Sequence, residues 1–287
     1  MAGFLKRLVP KRLRKRELVI PVVRLQGAIM ADGSPLRPAL NLASISASLD
    51  KAFSMKDTPA VAIAVNSPGG SPVQSRLIYS RIRALAEEKG KRVHVFVEDV
   101  AASGGYMIAL AGDEIVADPS SIVGSIGVVS GGFGFPELLR KIGVERRIYT
   151  AGENKAILDP FQPEKPGDIE HLKSLQLDIH ATFIDMVKAR RGHRLSGDPE
   201  VFSGLFWTGT RGLELGLIDG LGDMRGELRK RYGETVKLEL VTATRGLLGR
   251  RIPGVGGSSA AVDIAGAAAG GLASVLEEKA LWARYGL

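Results

Sequence analysis

The sequence predicts an α/β protein with parallel strands and helical crossovers, and three observations carry that prediction. The continuous apolar run Ala60–Val65 ends in a glycine turn and leads into a helical stretch over 72–89. The same order returns at Val93–Val97, followed by a turn and a helix over 102–111. A long helical pattern then spans Ile169–Arg190, with Leu172, Leu175, Ile179, Phe183 and Val187 on one face. Strand, turn and helix in alternation require parallel strands joined by crossovers.

The remaining elements fill in around these units. Val19–Leu25 is β-branched and reads as a first strand, with Pro21 suggesting an edge position. Ala39–Phe53 has helical spacing through Leu40, Ile45 and Leu49. Glu114–Ala117 is short and strand-like, and the glycine-dense stretch Gly124–Gly134 reads as a loop. Arg146–Thr150 is expected as a strand, Thr208–Leu217 and Met224–Tyr232 as helices, and Val236–Val241 as a last strand. Three segments result: a basic stretch over 1–17, a main domain over 18–242, and a Gly/Ala-rich linker with a final helix over 243–287.

Composition narrows the chemistry. The 287 residues contain no cysteine, which excludes thiol nucleophiles, disulfides and cysteine-based zinc sites. The net charge of +8 is concentrated: residues 1–16 carry seven cations and no acid, so the rest of the chain stands at +1. A near-neutral body argues against nucleic-acid binding, which needs its own basic face. Phe4, Leu5, Leu8, Val9 and Leu13 are interleaved with those cations, a mixture suited to an anionic membrane surface. The stretch is too short and too charged to span a bilayer, and a solvated tail is its plainer reading. The small-residue stretch Ser258–Leu276 contains a G-x-x-x-G match at Gly266–Gly270, but Asp263 interrupts it and a linker is the better reading.

Two glycine turns concentrate the chemistry. Ala101-Ala-Ser-Gly-Gly-Tyr106 follows a strand and opens a helix, where free backbone N–H groups and the helix dipole can hold an oxyanion. Asn66-Ser-Pro-Gly-Gly-Ser71 occupies the equivalent turn of the preceding unit. In a parallel sheet both turns lie at the C-terminal ends of their strands, where ligands bind. Neither dinucleotide nor P-loop signatures are present. A serine nucleophile at Ser103 needs a base. His94 falls in a predicted strand, and His171, His180 and His193 lie on or just after the long helix, so surface solvation is the expectation for all four. A buried lysine can substitute once desolvation disfavours its ammonium form, and Lys155 is followed at once by apolar residues.

From Asn66 to about Gly222 the chain resembles the signal peptide peptidase A (protease IV) family, most closely its short single-domain members. The matching motifs, in order, are Asn66-Ser-Pro-Gly-Gly70, Ala101-Ala-Ser-Gly-Gly-Tyr106, Val123-Gly-Ser-Ile-Gly127, Gly152-Glu-Asn-Lys155, Trp207-Thr-Gly209 and Leu215-Gly-Leu-Ile-Asp-Gly-Leu-Gly222. The resemblance implies a Clp protease/crotonase type of fold. It also implies Ser103 as nucleophile, Lys155 as general base, Ser125 as the hydroxyl that holds the base, and Gly70 and Gly104 as oxyanion donors, with Gly69 the alternative to Gly70. Thr210-Arg-Gly212 departs from the family's usual alanine-containing helix start.

The expected activity is therefore hydrolysis of hydrophobic peptides, such as signal-peptide remnants or membrane-derived segments, through a Ser-Lys acyl-enzyme. No cofactor or metal is expected. A ring-like homo-oligomer with sites near subunit junctions is expected as well, in which Ser103 and Lys155 come from one subunit or from two. The expected location is the cytoplasmic face of a membrane, held peripherally, with a soluble cytoplasmic protein as the alternative. The competing readings are a crotonase-like acyl-CoA enzyme, which would put an acid in place of the Ser-Lys pair, and a non-catalytic membrane scaffold.

Overall fold

The computed structural model describes residues 17–32, 39–242 and 279–287. The readings of the basic stretch 1–16 and of Ser258–Leu276 lie outside the described residues. The element order is β1 (Val19–Gln26), α1 (Leu42–Ser54), β2 (Ala60–Ser67), α2 (Pro72–Lys89), β3 (Arg92–Ala102), α3 (Gly104–Ala109), β4 (Glu114–Ala117), β5 (Ile122–Gly124), α4 (Pro136–Ile142), α5 (Pro166–Arg191), β6 (Phe206–Thr208), α6 (Gly209–Glu214), β7 (Gly220–Leu221), α7 (Met224–Tyr232) and β8 (Lys237–Leu240).

The sheet runs β6-β5-β3-β2-β1-β8, and β4 with β7 adds to the side of β3. Every pairing is parallel except β5 with β6, so the α/β architecture with helical crossovers is present. Strand β2 is buried along its whole length, as a central parallel strand must be. Its alternate residues serve two cores. Val61, Ile63 and Val65 face Leu49 and Phe53 of α1 and Ile78 and Ile82 of α2. Ala60 and Ala62 face the other way, with Ile20, Phe96 and Leu228 of α7.

Local chemistry ends the helices where the sequence suggests. Asn41 and Ser44 form a reciprocal capping box at α1. Ser71 caps α2, with Pro72 at its first position and Gly90 in the left-handed conformation at its end. Strand β3 divides its partners: His94–Val97 pair with β4, and Val100–Ala102 pair with β5. Asn66 braces the division, since its side-chain amide donates to Asp99 (2.6 Å) while its Oδ1 accepts from the Val100 N–H (3.3 Å). That switch of partner sets Gly124 and Ser125 beside Ser103.

Several expectations are corrected. β1 is not an edge strand, because β8 covers it. Pro21 is tolerated because the pairing with β2 begins one residue later, at Val22↔Ala62, so the missing N–H falls before that ladder starts. The helix expected over Thr208–Leu217 is present as α6, capped by Thr208, but strand β6 leads straight into it and was not foreseen. Arg146–Thr150 forms no strand: among the described residues no strand lies beside it to pair with, and Tyr149 is 91% exposed. The expected apolar face of α5 is only partly used. Phe183 and Val187 are buried, whereas Leu175 is exposed.

Candidate active site

The two glycine turns lie side by side because β2 and β3 are adjacent, paired in one register down to Val65↔Val97 and, after a bulge that adds two residues to β3, again at Ser67↔Ala101. Gly69 (φ 106°) and Gly70 (φ 135°) occupy backbone conformations that side chains rarely adopt. They are also packed too closely for any side chain. A Cβ on Gly70 would sit 2.1 Å from the Ile29 carbonyl oxygen, and one on Gly69 would sit 2.8 Å from Ser103 Cβ. Ile29 clamps the turn, its N–H donating to Gly69 O (2.8 Å) while its own carbonyl accepts from the Ser71 N–H (2.7 Å). The Gly69 N–H donates to Ser67 Oγ at 3.3 Å. No hydrogen bond among the described residues takes the Gly70 N–H, which lies 3.4 Å from the Cβ position of Gly104.

Ser103 sits at the head of α3 with φ 52° and ψ −122°. For a non-glycine residue such a conformation costs on the order of 1–3 kcal/mol and is typical of functional sites. It is held by the Ser103 N–H donating to Gly124 O (2.8 Å) and by the Met107 N–H donating back to Ser103 O (3.0 Å). The side chain does not cap the helix, so its hydroxyl is not committed to the backbone. Gly104 at the first helical position admits Ser75 Oγ, which would be 2.4 Å from a Cβ there. The first N–H groups of a helix have no intrahelical acceptor, which leaves the Gly104 N–H beside that of Gly70.

Ser125 follows β5 directly. It too has a positive φ (54°) and is buried, and its N–H donates to Leu205 O (2.7 Å). The Trp207 ring presses on Gly124, where a Cβ would come within 2.7 Å of it. That contact explains why Val123-Gly-Ser and Trp207-Thr-Gly209 occur together. Tyr106 ties α3 to the Leu215–Gly222 motif by donating to Leu217 O (2.7 Å), and burial pushes its phenol well above the usual range. Ser103, Ser125, Gly127, His180, Gly204 and Arg284 line one cavity of about 250 Å³.

The expected site residues thus fall into two groups. Gly69, Gly70, Ser103, Gly104 and Ser125 converge. Lys155 does not join them within one chain: it is exposed in a run of turns, is not among the residues lining that cavity, and its ammonium makes no hydrogen bond or ion pair among the described residues. Two histidines depart from the expected surface solvation. His94 is 3% exposed, with Nδ1 3.2 Å from Glu114 and Nε2 2.8 Å from the Tyr232 hydroxyl. Burial lowers its pKa, and Glu114 partly opposes the shift. His180 is half-buried and its Nε2 lies 2.9 Å from Ile126 O. A carbonyl only accepts, so that nitrogen carries the proton. His180, Arg284 and Tyr285 were not legible as site residues, since no motif surrounds them.

The pattern of peptidase family S49 matches residues 86–238, more than half of the chain. A Brucella abortus protein named Na(+)/H(+) antiporter NhaA is 69% identical over 290 residues, which cover 100% of this chain and 39% of that protein. The chloroplastic serine protease SPPA of Arabidopsis thaliana is 32% identical over 209 residues, 71% of this chain and 31% of that one. A Synechocystis protein whose name calls it a protease is 36% identical over 172 residues, 60% of this chain and 61% of that one. The chain therefore spans well under half the length of the Brucella and Arabidopsis relatives. Among solved structures, a mutant of the 1510-N membrane-bound stomatin-specific protease matches 79% of this chain and 99% of its own at 17% identity, with a TM-score of 0.45. With residues 86–238 matched and the glycine turns built as described, the chain belongs to peptidase family S49, the signal peptide peptidase A family.

Proposed function

We propose that this chain is a serine endopeptidase that hydrolyses hydrophobic peptides through a Ser-Lys acyl-enzyme. The observation that carries the reading is Ser103, held at φ 52° with an uncommitted hydroxyl beside Gly70 and Gly104. Lys155, as the neutral amine, takes the Ser103 proton, and Oγ attacks the peptide carbonyl. The N–H groups of Gly70 and Gly104 stabilise the oxyanion. Gly70 is preferred to Gly69 because the Gly69 N–H already has Ser67 Oγ as a partner. Lys155 then protonates the departing amine, and water hydrolyses the ester. Ser125 orients the lysine.

The site is completed by a second copy of the chain, which supplies Lys155. Support comes from the region between residues 128 and 165, which carries Lys155 and has almost no core of its own. Helix α4 buries nothing, and Phe133 is 81% exposed. Such an arm is built to lie on a neighbour. This chain matches only 39% of the Brucella relative's length, so the antiporter name is not carried over to it. A counterpart 69% identical to this chain within a protein of that name nevertheless supports work beside a membrane. Among the described residues no helix is long and apolar enough to cross one. Peripheral attachment at the cytoplasmic face is proposed from the basic residues 1–16, whose seven cations and interleaved apolar residues suit an anionic surface. The acyl-CoA alternative is not favoured, because among the described residues no acid lines the Ser103 cavity and none occupies the place of the nucleophile Ser103.

A serine-reactive fluorophosphonate should label the protein, and Ser103→Ala should remove the label. Ser103→Ala and Lys155→Ala homo-oligomers should each hydrolyse peptide at background rate. Co-assembly of the two variants should restore activity, because some junctions then pair an intact Ser103 with an intact Lys155. Wild-type turnover by Lys155→Ala would remove it as the base, and inactive mixed assemblies would place both residues in one subunit.

A further inference from the structure

Residues 279–287 return to the catalytic end of the sheet from far along the sequence. A short helical stretch over 279–283 is followed by Arg284, which lines the Ser103 cavity, and by Tyr285, which is buried. The Tyr285 ring packs on Val100 and Ala102 of β3 and beside Ile122 and Trp282. It meets the Phe206 ring edge-to-face at 4.9 Å between centroids. Its hydroxyl donates to Ser125 Oγ at 3.2 Å, across 160 residues of sequence.

The chemistry of that contact follows from what a serine hydroxyl can do. Ser125 Oγ has two acceptor positions and one proton. Tyr285 takes one acceptor position from the buried side, and the cavity side keeps the other. A neutral lysine that acts as base must keep its lone pair for the nucleophile's proton, so it offers Ser125 one of its N–H groups. Ser125 must then accept from both neighbours at once, and the Tyr285 bond fixes which way the remaining lone pair points. The Ser125 backbone at φ 54° and its Leu205 contact fix the Cα; the hydroxyl rotor itself is fixed by Tyr285.

We infer that Tyr285 is a positioning residue of the peptidase site, holding the Ser125 hydroxyl in the orientation that receives the base. The inference rests on the Ser-Lys reading above. It makes residues 279–287 part of the working site, not an appendage to it.

The test is Tyr285→Phe, alone and combined with Ser125→Ala, assayed as the full-length oligomer on a peptide substrate. Phenylalanine keeps the ring that packs on Val100, Ala102 and Phe206, so the melting temperature should stay near that of the wild type; a parallel thermal melt checks this. Loss of the hydroxyl should lower kcat about tenfold, the effect of one orienting hydrogen bond, and leave KM unchanged. In the Ser125→Ala background the same substitution should have no further effect, which a merely structural role would not reproduce. An unchanged kcat, an equal loss in both backgrounds, or a gain in rate would each overturn the inference, the last by marking the segment as a plug. If Tyr285→Phe lowers stability, Phe206→Leu serves as the packing control: it should shift the melt without the Ser125-dependent loss of kcat, and an equal, Ser125-dependent loss would overturn the assignment to the hydroxyl. Ser103→Ala run beside these variants separates the two levels. Full activity in Ser103→Ala defeats the catalytic reading itself, whereas an inactive Ser103→Ala with a normal Tyr285→Phe defeats only the positioning role.

Discussion

The pair of central strands and the projecting arm are built on opposite principles. β2 and the first half of β3 are sealed on both faces, by α1 and α2 on one side and α7 on the other. The stretch from Val128 to Leu177 is the reverse: Val129, Phe133, Leu138, Ile142, Tyr149 and Leu177 are all exposed. In the first region apolar residues are the source of stability, because burial removes them from water. In the second the lone chain leaves them largely in water, and a neighbouring copy that covers them is part of the proposal above. The nucleophile stands at the end of β3, anchored to the sealed region, and Lys155 lies in the exposed one, so the boundary between the two runs through the proposed chemistry.

Perturbing each side should give opposite signatures. The largest stability effect is expected in the sheet. Ile63→Ala removes a fully buried side chain and should cost about 2–5 kcal/mol, seen as a lower denaturation midpoint with the oligomer and the site lost together. An arm variant combining Phe133→Ser with Ile142→Ser should leave the melt of the monomer almost unmoved, since both side chains are exposed. It should nevertheless shift sedimentation towards the monomer and take peptide hydrolysis with it. An arm variant that stays assembled and active would remove the distinction between the regions.

Ser125→Ala tests the junction between them. It should lower kcat by roughly 10–100-fold, the worth of a hydrogen bond of about 1–3 kcal/mol that positions the base. A change of no more than twofold would reduce Ser125 to a turn residue. The smallest effect is expected far from the site, at His94. Burial keeps it neutral and lowers its pKa, whereas the unfolded chain recovers an ordinary histidine that protonates near pH 6.5. The unfolded state then binds the extra proton, so stability falls as pH drops below about 6.5. The wild-type melting temperature should decline across that range, and that of His94→Gln should decline less. Parallel pH dependence in the two proteins would assign the decline to other groups.

Much of the sheet was legible because its signals are local. The apolar run Ala60–Val65, the glycines after it and the proline that starts α2 each act within a few residues, and the structure repeats their boundaries closely. The Met224–Tyr232 helix was read correctly for the same reason, with Asp223 capping it. The short strands β5 and β7 were missed. They span three and two residues, too few for a period to show, and exist because β3 and β4 offer them free edges. Arg146–Thr150 was misread in the opposite sense, since a strand-like composition makes no strand without a partner.

What the sequence determined by itself was the parallel α/β plan, the two glycine turns at the ends of adjacent strands, and a serine at the head of a helix between them. Those follow from steric and hydrogen-bonding rules that operate over a turn or two of chain. Only the tertiary structure decided that the Gly70 N–H is left open while that of Gly69 is taken, that Ser125 stands in the cavity of Ser103, and that His180 and Arg284 share it. It also decided that Tyr285 reaches the Ser125 hydroxyl and that Lys155 stays outside that cavity in a single chain. Each of these depends on where distant segments return in space, and side chains that meet across 160 residues leave no periodicity or spacing to read.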